Sequence, residues 1–122
     1  MPSKHDPADC LADIVENAEW DGLHIAGMDR SDFEMNGLVR DAVERCLERI
    51  CEAAYRMGSD AETIVPGQPW GQIQGRGNRL RHAYDRITID IVWHTARFQI
   101  PSLEADAREA LAKLRPDDVE ER

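Results

Sequence analysis

The sequence predicts an all-α protein, folded as an antiparallel up-and-down four-helix bundle with short extra helices. Two features favour this class: apolar residues recur at helical spacing in several long segments, and the connections between those segments are short. A third is the lack of strands, since the only β-rich run, residues 87–93, has no partner strand in the sequence. With 122 residues, of which 42% are hydrophobic, the chain has the size of one domain. We expect a loose N-terminus over 1–5, a single bundle domain over 6–115 and a charged, frayed tail over 116–122.

The first helix is predicted to begin at Pro7. Asp6 is a suitable N-cap, proline is favoured at the first helical position, and the carboxylate of Asp9 complements the positive end of the helix dipole. An apolar stripe then runs to a stop at Gly27 through Leu11, Ile14, Val15, Ala18, Gly22 and Ile25.

The second helix is predicted to be the longest. Ser31 to Glu34 has the form of a capping box and should start a short helical turn before it. A long apolar face then ends at Gly58 and comprises Leu38, Ala42, Val43, Cys46, Ile50, Ala53, Ala54 and Met57. Its other face alternates acidic and basic residues, which is typical of a solvated helix surface.

Residues 59–68 are predicted to form a connecting loop, with Pro66-Gly67 as its turn. Pro69 should restart a helix, and the glycines at 71, 75 and 77 predict a break near 75–77. The next helix should run to Phe98 with Ile91, Val92, Thr95 and Phe98 facing inward. Pro101 should end it, and a last helix should bury Leu103, Ala107, Ala110, Leu111 and Leu114 before Pro116.

Charge and composition argue against several classes of function. A formal net charge of -9 argues against indiscriminate nucleic-acid binding, which depends on neutralising phosphates. No apolar run approaches the ~20 residues that a membrane span needs, and no signal region precedes the first helix, so we expect a cytoplasmic protein without a membrane partner. Cys10, Cys46 and Cys51 lack the spacing of a zinc site and should be small buried residues. The sequence predicts neither a metal nor a cofactor.

Basic charge is concentrated in residues 76–86. Four arginines and one aspartate give this segment a charge of +3, so the other 111 residues together carry -12. On a helix, Asn78, Arg79 and His82 would share one side, while Leu80 and Tyr84 would share another. Arginine holds phosphate oxygens and histidine transfers protons near neutral pH, which makes this a candidate phosphodiester site. The alternative is a solvated arginine face with a histidine that only caps or packs.

The same segment resembles a known family. The pattern Gly75-x-x-Asn78-x-Leu80-x-His82-x-Tyr84 follows Pro69-Trp70-x-x-Ile73 and precedes Ile91-Val92-Trp93 and Ile100-Pro101-x-Leu103. Upstream, residues 41–54 resemble the long helix that precedes the motif in that family. Over roughly residues 8–113 the sequence is similar to the HepT-like branch of the HEPN superfamily.

This resemblance implies a four-helix bundle that dimerises and builds an RNA-cleaving cleft from two copies of an Arg-x4-6-His motif. Arg76 and His82 fit the motif with five intervening residues, and Asn78 would orient the histidine or hold a phosphate oxygen. Gly77 stands where many members carry the arginine, so Arg79 or Arg81 could instead supply the guanidinium or contact RNA.

The resemblance also implies a metal-independent endoribonuclease toxin of a type VII toxin-antitoxin pair, acting on tRNA or mRNA. Its partner would be an MntA-type nucleotidyltransferase that adenylylates Tyr84. The alternative is a helical module that has lost catalysis and binds RNA, a nucleotide or that same partner.

Histidines and tryptophans outside the motif have simpler interpretations. The histidines are expected at the surface or at its boundary, namely His5, His24 and His94. The tryptophans are expected in the core or at a dimer interface rather than as base-stacking platforms, namely Trp20, Trp70 and Trp93.

Overall fold

The computed structural model describes residues 6–75 and 86–116, and this part of the chain is all helical, as predicted. Its elements are α1 (Pro7–Ile25), α2 (Arg30–Met35), α3 (Gly37–Met57), α4 (Asp60–Ile64), α5 (Trp70–Gly75), α6 (Arg86–His94), a π-helical turn (Thr95–Gln99) and α7 (Ile100–Leu114). None of the helices in these two ranges is both long enough and apolar enough to cross a membrane.

Helix α1 lies at the centre of the bundle, packed against α3 and α7. It begins as predicted: the Asp6 side chain accepts a hydrogen bond from the amide of Ala8 at 2.9 Å, and Pro7 occupies the first position. Arg56, at the end of α3, pairs with Asp13 near the start of α1 at 3.0 Å. Arg115, just after α7, pairs with Asp6 as well. Both neighbours therefore run antiparallel to α1.

Helix α2 begins earlier than the sequence pattern indicated. The N-cap is Asp29, whose side chain accepts from the amide of Asp32 at 2.8 Å, while the Asp32 carboxylate accepts from the amide of Asp29 at 3.1 Å. The prediction that Ser31 starts this box was wrong, because an aspartate two residues earlier forms the reciprocal pair with Asp32. Asn36 then caps α3 by accepting from the amide of Val39 at 3.1 Å.

The connection after α3 is not a simple loop. Residues 60–64 form α4, whose Ala61 is fully buried against the core. Gly58, before it, has φ 56° and ψ -134°, a backbone conformation that only glycine adopts without strain. α5 starts directly after Pro69, as predicted, and is described as far as Gly75. The expected break near residues 75–77 extends beyond the described residues.

Pro101 does not end a helix, which corrects the prediction. The backbone is helical from Arg86 to Leu114, and within it the amide of Ile100 donates to the carbonyl of Thr95, five residues back. A proline has no amide hydrogen and its ring crowds the carbonyl four residues earlier. The wider π-helical turn directly before Pro101 accommodates both effects, so the chain continues as α7.

Most predicted core residues are buried, with five exceptions. Five of the six residues of the inward stripe of α1 are buried as expected. Val92, Leu103 and Ala107 are buried too, and so are the three cysteines, which are free thiols. Trp70 and Trp93 are in the core. The prediction was wrong for Gly22, Leu38, Ile91, Phe98 and Leu114, which are exposed, and Trp20 is half exposed.

Candidate active site

The predicted motif lies between two anchored helices, α5 and α6. The motif residues themselves lie outside the described part of the chain, and the structure therefore neither brings together nor separates Arg76, Asn78, Arg79, Arg81, His82 and Tyr84. It does describe the residues on both sides, which fix the positions of the two helices that flank the motif.

Helix α5 is held to the bundle by hydrogen bonds from two side chains. The indole nitrogen of Trp70 donates to the carbonyl of Val65 at 2.7 Å, and the ring is buried. One turn later, the Gln74 amide donates to the carbonyls of Ala54 and Gly58 at 2.9 and 3.1 Å. These two carbonyls belong to the last turn and the C-cap of α3, so the glutamine satisfies acceptors that the helix end leaves open. The chain thus enters the motif from a fixed position.

Helix α6 is anchored mainly by α2. The rings of Phe33 and Trp93 lie 5.3 Å apart between centroids, and Phe33 is fully buried. At the surface beside them, Arg30 donates from Nε to the Asp90 carboxylate at 2.6 Å and from Nη1 to Glu34 at 2.5 Å. These hydrogen bonds, chiefly the one to Asp90 and next the one to Glu34, raise the pKa of Arg30. The helix that follows the motif is therefore held by both an aromatic pair and an ion-pair network.

Cationic side chains in the described residues are mostly neutralised. Ion pairs with carboxylates hold Arg30, Arg45, Arg56, Arg108, Lys113 and Arg115. The Arg40 guanidinium donates to the carbonyl of Glu34. Arg49 and Arg97 have no described carboxylate within ion-pair distance. Few cationic side chains among the described residues are therefore available to bind phosphate in place of residues 76–86.

A groove of about 280 Å³ lies between α1 and α3. It is lined by Trp20, the buried side chain of Asn17, two arginines and three carboxylates, and the Arg56–Asp13 ion pair spans it. An excess of carboxylates repels phosphate, so this groove is a poor site for RNA. Across the part of the chain that is described, no group of three or more potential ligand side chains is arranged to hold a metal ion.

Asp21 is an ionisable residue that sequence reasoning missed. Its carboxylate is fully buried in α1, and neither oxygen has a hydrogen-bond partner among the described residues. Burial, and secondarily the charge of Glu104 on α7, raise the pKa of Asp21 to about 7. The signal was available, because Asp21 falls on the inward stripe between Ala18 and Ile25.

Sequence reasoning also missed a surface on the π-helical turn. His94, Arg97 and Phe98 are all exposed there, although Phe98 was predicted to face inward. The conflict between Pro101 and a regular helix was the available signal for a change in helical phase at this point.

Comparison with known proteins identifies the family. Residues 9–110 match the family model described as Ribonuclease HepT-like, which includes the whole motif segment. The chain belongs to the HepT-like family. This confirms the resemblance seen in the residues around His82.

Similar proteins carry ribonuclease names. A Methanocaldococcus jannaschii protein named "Putative RNase MJ1216" is 29% identical over 118 residues, which cover 97% of this chain and 97% of that protein. "Probable ribonuclease HepT" of Thermococcus cleftensis is 31% identical over 101 residues, covering 83% of this chain and 92% of that protein. No solved structure matches the chain.

Proposed function

We propose that this protein is a metal-independent endoribonuclease toxin whose active site is built from Arg76, Asn78 and His82. The observation that carries the proposal is the family match, which spans residues 9–110 and therefore includes the motif and both helices that flank it. The concentration of basic charge in residues 76–86 of an acidic chain supports it. RNA contact would then be local, as expected of a selective enzyme.

The proposed reaction is attack of a ribose 2′-hydroxyl on the adjacent phosphorus. One His82 removes the 2′ proton, the new 2′-O–P bond forms, the P–O5′ bond breaks, and a second His82 returns a proton to the 5′ oxygen. The products are a 2′,3′-cyclic phosphate and a 5′-hydroxyl. An arginine stabilises the charge that builds up on the phosphorane, and Arg76, Arg79 or Arg81 can fill this role.

Two histidine roles are most simply supplied by two copies of the chain. A homodimer is supported by apolar side chains exposed at the α2–α3 junction, where Met35 is 82% and Leu38 is 86% exposed. This junction adjoins α6, the helix that follows the motif, through the contacts of Arg30 and Phe33. Met35→Glu combined with Leu38→Glu should therefore convert a dimer into monomers in analytical ultracentrifugation.

Regulation by a nucleotidyltransferase partner is the second part of the proposal. Tyr84 lies two residues after His82, and an adenylate on its hydroxyl would add negative charge beside the phosphate site and repel RNA. Mass spectrometry after co-expression with such a partner should find one adenylate on the wild type and none on Tyr84→Phe. Both proteins would act in the cytoplasm.

The reaction is tested with purified, adenylate-free protein in EDTA on total tRNA and on mRNA. Cut sites are mapped, and a substrate carrying a single 2′-deoxynucleotide at the main site is then compared with the all-ribose one. We expect cyclic-phosphate ends and no cutting of the deoxy substrate at that site. Cutting that persists there would contradict attack by the 2′-hydroxyl.

A second candidate function rests on Gly77, which replaces an arginine common in the family. If no other arginine takes its place, the protein keeps its fold and binds RNA, a nucleotide or the nucleotidyltransferase without catalysis. RNA binding without cleavage by adenylate-free wild-type protein would favour this function.

A further inference from the structure

The π-helical turn exposes a small cluster that combines an aromatic ring with positive charge. Phe98 is 59% exposed, and the guanidinium carbon of Arg97 lies 5.4 Å from the centre of its ring. The imidazole of His94 lies 5.2 Å from the same ring. We call His94, Arg97 and Phe98 the π-turn patch.

Backbone geometry produces this patch. Thr95 and Ala96 are buried, whereas the next three residues all face solvent. The amide of Ile100 bonds to the carbonyl of Thr95, so the turn holds one more residue than an α-helical turn. Such turns are rare and are found frequently at functional sites. Phe98 is thereby held at the surface of a continuous helix.

Arg97 differs from most other cations of the described residues. Its guanidinium has no described carboxylate partner and lies against the Phe98 ring instead. In a chain with 24 acidic residues, an unpaired arginine beside an exposed aromatic ring is complementary to an anionic ligand with a flat apolar part. A nucleotide of single-stranded RNA has both features, and proteins bind it by stacking bases on aromatic rings and pairing phosphates with arginine.

We propose that the π-turn patch is a second contact site for single-stranded RNA, in which a base stacks on Phe98 and Arg97 binds a neighbouring phosphate. The proposal rests on the ribonuclease function proposed above. Arg86, the first described residue after the motif, lies on the same continuous helix. The twelve residue steps from Arg86 to Phe98 span about 18 Å at about 1.5 Å per step, which matches about five stacked nucleotides. The patch would therefore hold RNA a few nucleotides from the cut.

Binding is tested first, separately from cleavage. A labelled single-stranded RNA of about ten nucleotides is titrated with His82→Ala protein, and with the same protein carrying Phe98→Ala or Arg97→Gln, by fluorescence anisotropy. We expect Phe98→Ala to weaken binding by about 5- to 150-fold, the range found for loss of one stacked base. Arg97→Gln should weaken binding and flatten its salt dependence by about one phosphate contact.

Matched controls come from another helix. Tyr55 on α3 is an aromatic residue that is 70% exposed, and Arg49 on α3 is likewise without a described carboxylate partner. Tyr55→Ala and Arg49→Gln should leave RNA affinity unchanged. If the patch variants and these controls lose the same amount of RNA affinity, the proposal is overturned. Unchanged RNA affinity in Phe98→Ala would overturn it as well.

Cleavage then separates this site from the catalytic one. With active protein, Phe98→Ala should raise KM for the longer RNA and leave kcat unchanged, and it should not affect a trinucleotide too short to reach the patch. An equal rise in KM for the longer RNA and for the trinucleotide would overturn the proposal. If the wild type cuts nothing, the nuclease function fails, but the anisotropy titration still decides the binding site. Dissociation of a dimer by Phe98→Ala would instead assign the patch to a protein interface and overturn the RNA proposal.

Discussion

Replacing Asp21 with asparagine should stabilise the protein, and the gain should depend on pH. The buried carboxyl has a pKa of about 7 in the folded state, against a usual value of 3.8. A difference of about three pKa units corresponds to about 4 kcal/mol. This is a large fraction of the stability of a domain of this size, so the effect should be measurable.

The sign follows from which state holds the proton. Between about pH 4 and pH 7, the folded state keeps a proton on Asp21 that the unfolded state has lost. Raising the pH through this window therefore lowers the free energy of unfolding of the wild type by about 1.4 kcal/mol per unit, and the loss levels off above about pH 7. Asparagine has nearly the same shape and does not ionise. Its advantage should be near zero at about pH 4 and approach about 4 kcal/mol at about pH 8.

Urea denaturation of both proteins at several pH values measures this difference. Protomer concentration must be the same throughout, because any dimerisation would also stabilise the fold. Asp41→Asn, on the exposed face of α3, is the matched control and should change stability little at any pH. The reasoning is refuted if Asp21→Asn shows the same stability difference at pH 5 and pH 8, or if the wild type is the more stable protein at pH 8.

Substitutions at three further positions test the packing and the caps, each by urea denaturation at constant protomer concentration. Phe33→Ala should lower the free energy of unfolding by about 3–5 kcal/mol, because it leaves a cavity at a fully buried site against Trp93. A decrease below about 1 kcal/mol would contradict the packing of α2 on α6. Gly58→Ala should lower the free energy of unfolding by about 1–3 kcal/mol, because a residue with a Cβ is strained at φ 56°. The added Cβ meets no neighbouring atom, so the backbone strain alone is tested. An unchanged free energy of unfolding would mean that this turn adopts another conformation. Asn36→Ala should cost about 1 kcal/mol through loss of the cap on Val39, whereas Asn36→Asp should retain most of that stability.

The sequence predicted those helices whose ends carry strong local signals. The start of α1 at Asp6 and Pro7 and the end of α3 before Gly58 were both correct, because cap side chains and a positive-φ glycine act on the nearest residues alone. Most residues of the predicted stripes of α1 and α7 are also buried, since they follow helical spacing. The family could be identified from the spacing around Asn78 and His82, because that pattern lies entirely in the sequence.

Features that depend on tertiary packing were not predictable in this way. Pro101 normally ends a helix, and only the hydrogen bond from Ile100 to Thr95 shows how the chain continues through it. That change of phase, and not side-chain hydrophobicity, decides that Phe98 faces solvent. For the active site, residue types and spacing suggested the chemistry, but the choice among Arg76, Arg79 and Arg81 depends on which guanidinium reaches the phosphate, a geometric property that spacing does not determine.

The most direct test of the proposed nuclease is the rate at which purified protein cuts RNA in EDTA, compared between the wild type, His82→Ala and His24→Ala. His24 is a matched control because it is a histidine of α1, outside the motif segment, whose ring is stacked 6.0 Å from that of Trp20. We expect His82→Ala to lower the cleavage rate by about 10²–10⁴-fold while remaining folded and keeping the oligomeric state of the wild type, and His24→Ala to cut at the wild-type rate. Cleavage by His82→Ala at the wild-type rate would contradict the assignment of His82 as the residue that transfers protons.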